Sequence, residues 1–118
     1  MSTKQNPPRW RILFQQMNTT QGSVGARLGL LPHLVAALAQ LGTSAFSEGR
    51  AAAAADYYRE LVGLDPGNAD LHNNFGIVLV RIGDIAGGIE QFNAALRADP
   101  AHQAARRNLE LARKRLPQ

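Results

Sequence analysis

From Leu71 to Ile82 the apolar side chains Leu71, Phe75, Val78, Leu79 and Ile82 recur at spacings of three and four, the mark of an amphipathic helix that needs a partner. Gly83 supplies a stop, because the residue after a helix often takes positive φ, and Asp84 can cap the next helix. That second helix is expected from about Ile85 to Ala98 with Ile89, Phe92, Ala95 and Leu96 inward, closed by Asp99-Pro100. An earlier pair reads the same way. Its first helix, about Val35 to Glu48, presents Leu38, Leu41 and Ala45 and ends at Gly49. Its second, about Arg50 to Leu64, carries the helix-favouring run Ala51 to Ala55 and the bulk of Tyr58, Leu61 and Val62. A last helix is predicted from Gln103 to Leu116, with Leu109 and Ala112 inward and Arg106, Arg107, Arg113, Lys114 and Arg115 largely outward.

The two pairs share one ruler. At an offset of 34, Asp65-Pro66 falls on Asp99-Pro100, Gly42 on Gly76, Gly49 on Gly83 and Tyr58 on Phe92. Agreement across several residue types at one interval marks an internal repeat. It divides the chain into an N-terminal segment (1–34), two units (35–68 and 69–102) and a terminal capping helix (103–118). A stack of such units needs a cap, since each buries its face only against its neighbours. Gly42 and Gly76 fall inside helices, where each costs about 1 kcal/mol against Ala. A neighbouring helix passing too close for a side chain would explain both.

The N-terminal segment allows two readings. Asn6-Pro7-Pro8 can start a helix, and Trp10, Leu13, Phe14 and Met17 then share one face. Three glycines between Gly22 and Gly29 weaken any helix there, although Pro32 lies 34 before Pro66 and Gly29-Leu30 lies 34 before Gly63-Leu64. The segment is either a worn helix pair packed on the first unit or a mobile arm whose Trp10 stripe docks in a groove. The packed reading is favoured, because about three units are usually needed for stability.

These residues resemble the tetratricopeptide repeat family. Unit 69–102 carries Phe75-Gly76, Leu79, Gly83, Phe92, Ala95 and Pro100 where the family pattern has Leu-Gly, Tyr, Gly, Phe, Ala and Pro. Unit 35–68 carries Leu41-Gly42, Gly49, Ala54, Tyr58 and Pro66 likewise. Leu38 and His72 stand where Trp is common, and Gly88 and Leu61 each replace an Ala. The resemblance implies an all-α fold, a right-handed superhelical stack of antiparallel helix pairs, or α-solenoid. It also implies that the first helix of each pair lines a concave face that holds peptides or partner helices. Carried over, the partner-binding stripe is Ala39, Thr43 and Phe46, then Asn73, Ile77, Val80 and Arg81, then Arg107, Leu111 and Lys114. Each set lies on one side of its helix. The family's chaperone-binding members clamp a C-terminal carboxylate with Lys and Asn on successive first helices. Ala39, Thr43 and Ala104 stand at three such positions and only Asn74 matches, which argues against that ligand.

Composition adds exclusions. With 45% apolar residues, 19% charged and no cysteine, the chain reads as globular, without disulfides, thiolate metal sites or a Cys nucleophile. The net charge of +4 is unevenly spread: 1–34 carries +4, 35–96 carries −4 and 97–118 carries +4. Nucleic acid or anionic lipid could meet such basic ends, but no aromatic-and-basic recognition motif accompanies them. No signal peptide or transmembrane stretch is apparent, so a cytoplasmic protein is expected. Eleven Arg against two Lys, with abundant Ala and Gly, fits a GC-rich bacterial gene.

Catalytic chemistry finds no foothold. His33, His72 and His102 form no metal-ligand spacing, and His72 is expected to fill the space of an aromatic while the other two face solvent. The glycines at 22, 25 and 29 are not a phosphate loop, and Ser23, Ser44 and Ser47 have no implied His and acid partners. The expected function is therefore a non-enzymatic scaffold or adaptor without cofactor or metal. Its partner is another polypeptide with apolar anchors and some acidic residues. Self-association is the alternative.

Overall fold

The computed structural model describes residues 8, 9, 11 and 30–116. The chain divides into 1–34 and 35–118. In the first part Arg9 and Arg11 are helical, and the Arg11 N–H donates to the Pro8 carbonyl at 3.0 Å. The predicted Trp10 stripe and the glycine-rich stretch lie outside the described residues.

Most of residues 30–116 are helical: α1 (Leu30–Ser47), α2 (Ala51–Leu64), α3 (Ala69–Arg81), α4 (Ile85–Ala98) and α5 (Gln103–Arg113). Among the described residues there is no strand. Helix α1 starts earlier than the expected Val35. Pro32 sits in its first turn, where the missing N–H would have had no helical partner anyway.

Both inter-helix stops form as the pattern requires. Gly49 has φ +81° and Gly83 has φ +96°. Past them, the Arg50 N–H reaches the Ala45 carbonyl and the Asp84 N–H the Leu79 carbonyl, each at 2.8 Å. These six-residue closures occupy the last free carbonyls of α1 and α3. The short turn then sends α4 back along α3. Starts are capped by side chains three residues upstream of the amide they serve. Asn68 accepts from Leu71 N–H at 3.2 Å, Asp84 from Gly87 N–H at 2.9 Å and His102, through Nδ1, from Ala105 N–H at 3.1 Å. Asn68 and His102 are 34 residues apart and do the same work. Arg50, 34 before Asp84, makes no side-chain cap.

The core runs through both repeats. Leu38, Ala45, Ala54, Ala55, Tyr58 and Leu61 are buried in 35–68, and Leu71, Phe75, Val78, Leu79, Phe92 and Ala95 in 69–102. Ala105, Leu109 and Ala112 of α5 are buried too, the last two gathering with Phe92 and with Ile77, Val80, Ile85, Ile89 and Leu96. Close approach explains the two helical glycines. A Cβ on Gly76 would stand 2.5 Å from Phe92 Cε1 and 2.7 Å from Cδ1, and one on Gly42 would stand 3.0 Å from Tyr58 Cε2.

Four expectations need correcting. Leu41 is 47% exposed and Ile82 45% exposed, so neither belongs to the core. In α1 the buried line runs through Leu38, Gly42 and Ala45, and at about 100° per residue Leu41 lies roughly 60° to one side of Leu38. Ile82 follows the last residue of α3 and has left its apolar stripe. Helix α5 ends at Arg113, short of the expected Leu116. His102 is not a free surface residue: besides capping α5, its Nε2 lies 2.8 Å from Asp70 Oδ1 on α3.

Candidate partner-binding groove

Three helices leave a gap between them. Ile77, Val80 and Arg81 of α3, Phe92 of α4, Asn108, Leu111 and Ala112 of α5, and Arg115 just beyond it line a groove of about 340 Å³. Its walls follow from the same periodicity that builds the core. Ile77 and Val80 are half-buried, one side packed toward the Phe92 cluster and the other open to the groove. Leu111 is 59% exposed, an apolar side chain held in water on the last helix. Such exposed apolar surface beside charge marks interaction sites.

The stripe predicted from the repeat is divided by the structure. Ile77, Val80, Arg81 and Leu111 come together in the groove. Asn73 does not, being only 7% exposed. Its Oδ1 accepts from Asn108 Nδ2 at 3.0 Å, a cross-tie from α3 to α5 one helical turn from Ile77. Arg107 on α5 and Lys114 just past its end are exposed and are not groove-lining residues. On α1, Ala39 is half-buried, and the Thr43 hydroxyl donates to the Ala39 carbonyl at 2.9 Å while lying 3.0 Å from the Tyr58 hydroxyl. Phe46 is half-buried, with the Arg81 guanidinium carbon 5.0 Å from its ring centroid.

Sequence reading missed Phe92, Asn108, Ala112 and Arg115 as groove residues. One signal was available. Arg115 lies 34 after Arg81 and Asn108 lies 34 after Asn74, so the ruler that aligned the glycines also aligns these.

The groove suits binding through shape, apolar contact and charge. Arg81 and Arg115 bring two guanidinium groups, each with five donors and no acceptor. Among the described residues neither carries an ion pair to a carboxylate. His72 is engaged elsewhere. It is buried in α3, with Nδ1 2.8 Å from Gln91 Oε1 and Nε2 2.7 Å from the Pro66 carbonyl oxygen. Among the described residues no cluster of three or more His, Cys, Asp or Glu side chains could hold a metal ion, and no helix is long and apolar enough to cross a membrane.

Comparison with known proteins places this architecture. A family model described as tetratricopeptide repeat matches residues 45–114, more than half of the chain. Among solved structures, the chain is similar to the second TPR of Spaghetti (RPAP3) bound to the HSP90 peptide SRMEEVD. The TM-score is 0.65 and the identity 21%, over 68% of this chain and 74% of that one. No curated protein matches the sequence.

Proposed function

Since the chain belongs to the tetratricopeptide repeat family, we propose that it is a non-catalytic adaptor whose groove between α3, α4 and α5 holds a segment of another polypeptide. The observation that carries this reading is the groove itself. Half-buried Ile77 and Val80 face exposed Leu111 across a gap flanked by Arg81 and Arg115. An apolar pocket with a few convergent polar groups is the usual form of a ligand site. The similar RPAP3 domain is bound to an HSP90 peptide. The ligand of this chain differs in how it is gripped. Ala39, Thr43 and Ala104 stand where carboxylate-clamping members of the family place polar or basic side chains, so a terminal carboxylate gains little there. The partner instead offers an apolar anchor to Ile77, Val80 and Leu111 and nearby acidic groups to the two arginines.

Selection of a displayed random-peptide library on the full chain tests this. Binders should combine apolar and acidic residues, and Leu111→Asp should lose them with the melting temperature unchanged, because Leu111 is mostly in water. Binders indifferent to Leu111→Asp would place the partner on another face and end this reading.

A further inference from the structure

The internal repeat gives the groove an earlier counterpart in sequence. Shifted back by 34 residues, Val80 becomes Phe46, Phe92 becomes Tyr58, Asn108 becomes Asn74, Leu111 becomes Ile77 and Arg115 becomes Arg81. In the earlier position phenylalanine stands where the later one has valine, and the Arg81 guanidinium lies over the Phe46 ring at 5.0 Å. In the later position Val80 lines the 340 Å³ groove. Arg115 has kept its place there. Among the described residues no aromatic ring lies under its guanidinium.

Resting on the groove-binding reading, we infer that the groove takes one aromatic side chain of an acidic partner segment, its ring seated against Val80 and Leu111 and beneath the Arg115 guanidinium. The protein thus completes in trans the contact that it makes in cis between Phe46 and Arg81. Size agrees. A dry cavity of about 150 Å³ holds a benzene ring, so 340 Å³ admits an aromatic side chain with its neighbouring backbone and little more. Charge agrees as well. From Gln103 to Leu116 there are five bases (Arg106, Arg107, Arg113, Lys114 and Arg115) against Glu110, so acidic residues beside the ring are attracted and basic ones repelled. The aromatic requirement comes from the guanidinium: an arginine over a ring face is attracted by the ring quadrupole, and a leucine offers no such face.

The neighbouring glycine keeps the site testable. A Cβ on Gly88 would stand 2.5 Å from Val80 Cγ2, so Val80 leans its branch over Gly88. Phenylalanine lacks that branch and already stands at the equivalent position 46, in the repeat that has Ala54 where this one has Gly88. Val80→Phe should therefore fold and fill the groove from within.

The experiment is an NMR titration of the full chain with acetylated, amidated Glu-Asp-Glu-Phe-Glu-Asp-Glu, with versions carrying Trp or Leu for Phe, and with one carrying Lys for every acid. The Phe and Trp peptides should shift the amides of Ile77, Val80, Asn108 and Leu111. The Leu peptide should bind about three- to tenfold more weakly, the worth of an exposed-to-partly-desolvated cation–π contact. The Lys peptide should not shift them. Val80→Phe should abolish the response at a melting temperature equal to or above wild type, and Arg115→Ala should erase the preference for Phe over Leu. If Val80→Phe does not fold, the Arg115→Ala comparison decides alone, since that side chain is on the surface. Equal binding of Phe and Leu peptides at these amides overturns the aromatic inference and leaves the groove reading standing. Shifts elsewhere, or none, overturn both. If the wild-type chain is dimeric and Val80→Phe dissociates it, the occupant is a second copy and the proposed partner chemistry is wrong.

Discussion

Single residues decide how closely the helices approach. Gly76 allows α3 to lie against the Phe92 ring, and Phe92 is only 2% exposed. Gly76→Leu should therefore destabilise by about 1–3 kcal/mol or more through overpacking, whereas Asn74→Leu, on the exposed side of the same helix, should stay within about 0.5 kcal/mol. Chemical denaturation of the two variants beside wild type checks the difference. Phe92→Ala should cost about 3–5 kcal/mol and Leu41→Ala less than about 1 kcal/mol, in keeping with burial of one and exposure of the other. The sequence pattern alone put both in the core. Leu41 fell into a spacing of three from Leu38, and spacing does not say how wide a helix's buried stripe is. Phe75, its counterpart 34 residues later, is buried with the Arg59 guanidinium 5.6 Å from its ring centroid. Burial at a repeat position depends on which neighbour covers it, and a single repeat's pattern does not contain the neighbour.

At the scale of the element, the starts of α3, α4 and α5 are each fixed by one side-chain acceptor, while α2 begins after Arg50 without one. Arg50→Asp would place there the residue that caps α4 from Asp84. It should stabilise the chain by about 0.5–2 kcal/mol, since a capping carboxylate serves both the free amides and the helix dipole. The bond lost, Arg50 to Glu48 at 3.0 Å, is an exposed pair and contributes little. A higher melting temperature for Arg50→Asp is the expected readout; a fall would show that the end of α2 is held by something other than its first-turn amides. His102→Ala should cost about 1 kcal/mol for the cap, and His102→Asn should restore most of it. Helix stops were legible because glycine at 49 and 83 is almost forced by positive φ. The histidine cap was not, because histidine is an uncommon acceptor at such a position and its role rests on Asp70, 32 residues away. That pairing exists only once α3 and α5 are packed together.

Over the whole molecule, the fold was legible because a 34-residue interval constrains many residue types at once, each for a local reason. The groove was half legible. Ile77, Val80, Arg81 and Leu111 follow from the family resemblance, which puts the first helix of each pair on the concave side, but Asn73 turned inward to meet Asn108, and Arg115 entered the site from beyond the end of α5. Those placements depend on how α5 crosses α3, which periodicity does not specify. Binding in this groove should weaken with salt yet persist, because Arg81 and Arg115 are screened while contacts to Ile77, Val80 and Leu111 are not. A steep log-linear fall would instead mark a basic-patch ligand such as nucleic acid. A crystal structure of the chain with a library-selected peptide tests the groove most directly. The peptide should lie between α3 and α5, with an anchoring side chain in contact with Val80 and Leu111 and an acidic group near Arg81 or Arg115. A peptide seated on the outer faces of α2 and α4, with the groove empty, would contradict this placement.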